Sequence, residues 1–495
     1  MSSASVYTHR SALCLLAALP LAGCVHAPSA PPQTTIAMSQ DDTLPAQRVA
    51  VEPWWRLYRE PALDVLVAEA LANNRDLRVA AARLLQARAS LDAEQARRGP
   101  STRLSVGAGY GSTLQDQIAA AADGDGAIRT GPRFDGGADL SWEIDLFGRL
   151  RSGVAAARAD AAADAADVDA VRVLVATGVT NAWLRSCGLG AQIAAARDAL
   201  KLAGQAHDIV VKSAAAGAVS PSDVLRAQAA VAEVAAGIPM LDAERHEALV
   251  EIAILTGQPP SRVSAEASGC TQLPAIDGPI PVANALSLLR RRPDVRAAEQ
   301  RLAAATARIG IAVGDLYPHL SLGSGLGLSS PSVSGLSSRE NAVWRLGPLL
   351  SWSFPNQSAA RARLAGARAG ETAALATFDG AILRALAEVN REAENYRGAR
   401  DMQAQRRLAE QRSRQASTMA LARRSAGAAT AAEALEAEQA HVDAKRGLVQ
   451  ADTAVAAAQV RLFKALGGGW EDAPAIILPA PVRQASGNPK FLNAK

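Results

Sequence analysis

The sequence predicts a mixed α and β membrane protein built as a tandem duplication. Its four strands per chain are too few to enclose a lumen, so three copies are expected to share one twelve-stranded barrel, which long helices then continue. Three observations predict this. Short segments in each half alternate strictly between apolar and polar residues. The two halves repeat one another at a near-constant spacing. Residues 149–216 and 358–426 contain no proline.

Composition sets the frame. The chain has 495 residues and a formal net charge of +4. Such a balance gives no footing for nucleic acid or another polyanion. Aromatic residues make up only 4% while alanine is abundant. A compact core of this size would use more of them, whereas alanine-rich sequence suits long helices lying close together.

Residues 1–23 read as a targeting segment. Arg10 supplies a weak positive start, and residues 11–21 are apolar but too few to span a bilayer. The segment ends in Leu21-Ala22-Gly23-Cys24, which is similar to a bacterial lipobox. That similarity implies an N-palmitoyl, S-diacylglycerol cysteine at Cys24. A polar, proline-rich anchor and tether follows over 24–52. Val25 is not Asp, which by analogy with lipoprotein sorting favours the outer membrane. Cys14 departs with the signal, leaving Cys187 and Cys270. An exported compartment permits a disulfide between them, since the helix returning over 222–256 climbs back beside residue 180; two buried thiols are the other reading. No stretch of the mature chain holds 18 consecutive apolar residues. A membrane-embedded sheet must then close on itself, because backbone groups in lipid need internal partners.

The duplication organises the rest. Asp76-Leu77-Arg78 matches Asp294-Val295-Arg296 at a spacing of 218, as do Pro100 and Pro318. Further on the spacing is 210, placing Ser141-Trp142 on Ser351-Trp352 and Gly217 on Gly427. The shorter spacing puts a longer exposed loop in the first half, over 115–133. The first repeat spans 53–270, a linker 271–281, the second repeat 282–470 and a tail 471–495. Each repeat reads as helix, two strands, very long helix, tight turn and returning helix.

The strands alternate with period two. Ala138, Leu140, Trp142, Ile144 and Leu146 share one face, and Asp139, Ser141, Glu143 and Asp145 the other. Leu104, Val106, Ala108 and Tyr110 alternate with Arg103, Ser105, Gly107 and Gly109. Leu320, Leu322, Leu326 and Leu328 do so with small residues, and Trp344, Leu346, Leu350, Trp352 and Phe354 continue the pattern. An apolar face ending in aromatics opposite a polar face fits a transmembrane barrel. Asp139, Glu143 and Asp145 are then candidate lumen acids. Four strands cannot enclose a lumen, and a three-fold ring is the simplest closure.

The proline-free stretches would make helices roughly 100 Å long, packed as coiled coils, with a break expected at Gly188-Leu189-Gly190. Gly217 and Gly427 suit left-handed helix caps. Ser220-Pro221-Ser222-Asp223 and Thr430-Ala431-Ala432-Glu433 read as capping boxes that start the returning helices. Pro239 should kink the first of these after Gly237.

Trp54-Trp55, Pro61-Ala62-Leu63, the run from Ser141 to Gly148 (SWEIDLFG), Arg292-Pro293-Asp294 and the run from Ala465 to Trp470 (ALGGGW), in this order with the lipobox, resemble the TolC-type outer-membrane factors. The resemblance covers nearly the whole mature chain and is nearest the NodT/OprM-like efflux lipoproteins. It implies a homotrimer in the outer membrane whose helical barrel crosses the periplasm. The implied partners are a periplasmic membrane-fusion adaptor, an inner-membrane resistance-nodulation-division pump and outer-membrane lipid, and the implied activity is passive export of drugs or other small molecules. Adaptor contacts fall on Ala216, Gly217, Ala218, Val219 and Ser220, and on Ala426, Gly427, Ala428, Ala429 and Thr430. The implied gate lies past the second tip: an acidic position at Glu436 beside Glu433, an apolar position at Ala432, smaller than the usual Leu, and Gln439 where some relatives are basic.

Glu433 and Glu436, three apart, share a helix face, so three copies would converge six carboxylates and favour cations. Glu433 can instead serve only as a cap. A polypeptide-secretion channel and a non-conducting structural lipoprotein are the alternatives. No enzyme, cofactor or metal site is expected: His207, His246, His319 and His441 lack ligand spacing.

Overall fold

A computed structural model describes residues 30–34, 53–112, 114–123, 126, 128–276, 291–355, 357–468 and 476. Cys24, the signal, most of the tether, linker residues 277–281 and the tail except residue 476 lie outside the described residues. The chain divides into two compact units. One comprises residues 86–162 and 299–377 and carries the sheet. The other comprises 35–85, 163–298 and from 378 onward, and is helical.

In chain order the helices are α1 Pro61–Asn73, α2 Arg75–Ala96, α3 Leu114–Asp123, α4 Arg149–Ala215, α5 Pro221–Ala236, α6 Ile238–Leu255, α7 Ala265–Ser268, α8 Pro293–Gly314, α9 Ser358–Ser425 and α10 Ala431–Leu466. The strands are β1 Ser101–Gly111, β2 Gly131–Ile144, β3 His319–Ser330 and β4 Ala342–Ser351. The duplication is literal: α2 and α8 begin and end 218 residues apart, and α4 and α9 end 210 apart.

The sheet unit holds one antiparallel meander in the order β1-β2-β3-β4. Its register aligns Leu104, Ala138, Leu326 and Trp344 in one row and Arg103, Asp139, Gly325 and Arg345 in the next. Cross-strand partners share a face, so the alternation expected from sequence becomes a two-faced sheet. The apolar face is bare: Val106 is 91% exposed, Leu104 82% and Trp344 75%. Two departures are local. Val343 and Leu349 carry apolar side chains on the polar face of β4. Leu146, Trp352 and Phe354 lie past the strand ends. The loop expected over 115–133 is not wholly irregular, because four consecutive alanines at 119–122 favour the helix α3.

Equivalent ties close the sheet onto its helices. The Trp142 indole donates to the Arg98 carbonyl at 2.9 Å, and the Trp352 indole to the Leu316 carbonyl at 3.2 Å. Donors are 210 apart and acceptors 218, so the same bond occurs twice. Phe147 stacks on Tyr317 at 4.5 Å and Trp352 on Phe354 at 4.7 Å. Such aromatics suit a boundary that is wet on one side and apolar on the other.

The helical unit contains the main core. Trp54 stacks on Phe463 at 4.7 Å beside buried Trp183, Val179, Leu184, Ile252 and Leu462. Burying side chains of this size contributes roughly 1.5–3 kcal/mol each. Here too the repeats share a tie. Asn74 accepts from the amides of Asp76 and Leu77 and donates to the Leu255 carbonyl at 3.0 Å. Its counterpart Arg292 donates to the Ala465 carbonyl at 2.7 Å, and to Asp294 and Glu388 at 2.8 and 2.7 Å. Burial alone would raise the Asp294 pKa; the hydrogen bond and charge of Arg292 outweigh it and hold the carboxyl low.

The break expected at Gly188-Leu189-Gly190 is corrected: α4 runs unbroken for 67 residues. These glycines serve close approach instead. A Cβ on Gly188 would stand 2.6 Å from Thr453 Oγ1, and one on Gly190 would stand 3.0 Å from the Cys270 carbonyl oxygen. The kink at Pro239 does occur, dividing the returning helix into α5 and α6. Together Pro221–Leu255 are long and apolar enough to cross a membrane by composition, with none of their most apolar 18 residues buried. Gly237 and Pro239 interrupt the segment, and Arg226 and Glu233 lie within it.

Candidate functional site

Three features carry the functional expectations: the two helical tips, the polar face of the sheet and the cysteine pair. At the tips, α4 and α9 end in matching turns. Gly217 and Gly427 both have φ 72°. The Ala218 amide reaches back to the Ser213 carbonyl, and that of Ala428 to the Arg423 carbonyl, both at 2.8 Å. These are Schellman closures, so Ala216 to Ser220 and Ala426 to Thr430 form two compact, largely exposed knuckles.

The returning helices are capped as their spacing implied. The Thr430 hydroxyl accepts from the Glu433 amide at 3.1 Å, and the Glu433 carboxylate accepts from the Thr430 amide at 2.7 Å. Asp223 accepts from the Ser220 amide at 2.8 Å and from its hydroxyl at 2.7 Å, and also meets Arg226. Hydrogen bonds from Thr430 hold the Glu433 carboxyl below the usual range; those from Ser220, then Arg226, do the same for Asp223. A depressed native pKa stabilises the cap above the ordinary carboxylate value, and the gain is lost as pH falls through the depressed one. Protection of the first-turn amides of α5 and α10, taken as the ratio of intrinsic to observed exchange rate, should therefore be flat above about pH 5 and fall below about pH 4. Thr430→Ala should weaken the start of α10 by about 1 kcal/mol, read as faster exchange confined to that turn.

Glu433 is thus engaged by its cap. Glu436, one turn on, is exposed and makes no hydrogen bond or ion pair among the described residues, while Ala432 is exposed and Gln439 half-buried, 3.5 Å from Asp443. The two acids lie on neighbouring turns of one helix, but only Glu436 is uncommitted.

The polar face differs from the acid-lined one expected. Asp139 pairs with Arg345 at 3.1 Å across Gly325, where a Cβ would stand 2.8 Å from the Asp139 oxygen. Glu143 takes two hydrogen bonds from Arg149, at 3.1 and 2.6 Å, and lies 3.4 Å from His319. Asp135 pairs with Arg133. Asp145 is corrected: it lies beyond β2 and accepts from the amides of Leu150 and Arg151 at 3.2 and 2.9 Å. It caps the amino end of α4, where a carboxylate meets unpaired N–H groups and a favourable dipole. The arginines at 103, 133 and 345 were the missing half of this surface. Their position on the same parity as the acids was readable from the alternation.

Cys187 and Cys270 are joined, with Cα atoms 4.9 Å apart. No group of three or more potential metal ligands occurs among the described residues. A groove of about 620 Å³ in the sheet unit is lined by Glu94, Arg97, Glu143, Arg149, Asp160 and Arg308. Its cations are already paired: Arg97 with Glu94, Arg149 with Glu143 and Arg308 with Asp160.

The chain as a whole is similar to known proteins. A family model described as outer membrane efflux protein matches residues 66–258 and 286–468, one stretch in each repeat. The pyoverdine export outer membrane protein OpmQ of Pseudomonas aeruginosa is 31% identical over 424 residues, covering 85% of this chain and 88% of that protein. The probable outer membrane lipoprotein SilC of Salmonella typhimurium is 26% identical over 461 residues, covering 91% and 96%. The solved outer-membrane channel OprN superposes with a TM-score of 0.76 at 32% identity, covering 90% of this chain and 99% of that one.

Proposed function

We propose, from the premise that this chain belongs to the outer membrane efflux protein family, that three copies close edge to edge into one conducting barrel. As a member of that family the chain is an outer-membrane efflux channel extending into the periplasm. Trimeric closure is supported chiefly by the sheet. Its four strands end in β1 and β4, which have no further strand beside them among the described residues. Open edges with an exposed apolar face are untenable in lipid. Joining β4 of one copy to β1 of the next satisfies both edges, keeps the pairing antiparallel and closes at a three-fold ring. Apolar residues then meet lipid, and the Arg103, Asp139 and Arg345 row faces the water path.

Cys24 anchors the chain to outer-membrane lipid. The two knuckles, ending at Ser220 and Thr430, dock a periplasmic adaptor, through which an inner-membrane pump delivers small molecules. Glu436 supplies the charge at the mouth, and Ala432 is too small to plug it. Docking splays the second hairpin and opens this iris. Nothing observed favours a polypeptide passenger or a non-conducting spacer.

Native mass spectrometry and planar-bilayer recording test this together. The full chain should run as three copies and conduct with cation preference, and Glu436→Ala should reduce that preference. A monomer that does not conduct would defeat the assignment of a shared barrel; unchanged ion selectivity in the variant would remove Glu436 from the gate.

A further inference from the structure

The segment following α6 is held by little regular structure. Beyond Gly257 its described part contains only the four-residue helix α7. Its buried anchors are Ala267 and Ile276, with Val263 and Leu273 half-buried against the same core. Three features from other elements converge on its residue 270. Cys187, wholly buried on α4, is bonded to Cys270. Gly190 is three residues along, on the same helix face. A Cβ there would stand 3.0 Å from the Cys270 carbonyl oxygen and 3.2 Å from Thr271 Cα. The segment therefore lies directly on the helix backbone, which brings Cys270 within reach of Cys187. From α6, the Arg245 guanidinium donates to the carbonyls of Ser268 and Cys270 at 2.6 and 3.0 Å. Bond, gap and clamp address the same two or three residues, and none of them lies on the sheet or at the tips.

We propose that Cys187–Cys270 is a redox latch, closed late in folding, that fastens the segment leading out of the first repeat onto α4. A protein of the periplasm meets an oxidising environment. The oxidant is another protein's disulfide. The partly exposed Cys270 thiolate attacks one of its sulfurs, forming a mixed disulfide and releasing one donor thiolate. The Cys187 thiolate then attacks Cys270 sulfur and displaces the second donor thiolate. Two protons and two electrons pass from the cysteines to the donor, which ends as a dithiol. Cys187, already enclosed by the helices, cannot be the first to meet a protein oxidant. Reduction reverses the step and loosens the segment around residue 270, while the core about Trp183 and Leu184 keeps its other apolar contacts.

The test uses the full-length protein in detergent. Alkylation and intact mass should find neither Cys187 nor Cys270 labelled until a phosphine reductant is added. Hydrogen exchange is then followed by mass spectrometry in peptides covering 263–273 and 175–186. Reduction and alkylation of the folded protein should speed exchange in the first by about tenfold or more and leave the second unchanged. The double variant Cys187→Ala, Cys270→Ala should exchange like the reduced protein and ignore reductant; should it not fold, the reduced wild-type chain still provides the reading. Free thiols in the oxidatively expressed protein, unchanged exchange over 263–273, or equal loss of protection in both peptides would each overturn the latch.

Discussion

Arg292→Ala is expected to lower the stability of the helical unit by about 3 kcal/mol, the low end of the range for breaking a buried ion pair. The guanidinium is 9% exposed and serves three acceptors on separate elements: Asp294 at the start of α8, Glu388 on α9 and the Ala465 carbonyl at the end of α10. Removing it leaves two carboxylates facing one another and a helix-terminal carbonyl without its donor. Asp294 is half exposed and Glu388 one quarter, so water recovers part of the loss, which is why the upper end of the range is not expected. Lysine should not rescue, because one ammonium cannot span the fork between two carboxylates and a carbonyl. The duplication supplies the control. Asn74 makes the corresponding bond to Leu255, but it is neutral. Asn74→Ala, which also loses the cap on the Asp76 and Leu77 amides, should cost about 2 kcal/mol. Urea or thermal unfolding followed by far-ultraviolet circular dichroism would rank them; equal losses would show that the charge network adds nothing to the shared tie.

That pair of residues also marks where sequence reading stopped. The spacing of 218 places Arg292 on Asn74, and the spacing of 210 places Ala465 on Leu255. The two alignments were legible separately, but nothing in one dimension says that position 74 touches position 255. Periodicity reports a residue's face, so the two-faced sheet and the paired knuckles could be read from alternation, glycine and capping residues. It does not report what crosses that face. Asp145 has the parity of a strand residue, yet β2 stops at Ile144 because the chain there turns to offer its carboxylate to α4. Gly188 and Gly190 carry the propensity of a helix breaker. Close approach of Thr453 and the Cys270 backbone overrides that propensity. The acids and arginines of the polar face share one parity in the sequence, but which arginine meets which acid became evident only when β2, β3 and β4 were set in register.

Gly257 poses the sharpest version of the same question, because the sequence gives it no distinction from Gly217. Both end a helix in left-handed conformation, at φ 77° and 72°. Alanine pays the conformational penalty at either position, roughly 1–2 kcal/mol. Their surroundings then decide. A Cβ at Gly217 meets nothing within 4 Å, whereas one at Gly257 would stand 2.7 Å from the Asn73 carbonyl oxygen. That oxygen is backbone at the junction of α1 and α2, one residue from the Asn74 tie, and cannot swing aside as a side-chain end could. Overpacking of this kind adds roughly 1–3 kcal/mol. Gly257→Ala is therefore expected to destabilise by about 3–4 kcal/mol and to disturb Asn74, while Gly217→Ala costs about 1 kcal/mol and stays local to its knuckle. The repeat extends the argument: Gly467 would meet Arg292 at Cγ, 2.9 Å, and Cα, 3.2 Å, while Gly427 is as open as Gly217. Unfolding midpoints for the four alanine variants should fall into two pairs, Gly257 with Gly467 and Gly217 with Gly427. A grouping by repeat, Gly217 with Gly257, would mean that backbone conformation alone sets the cost and that the close approaches relax at little expense.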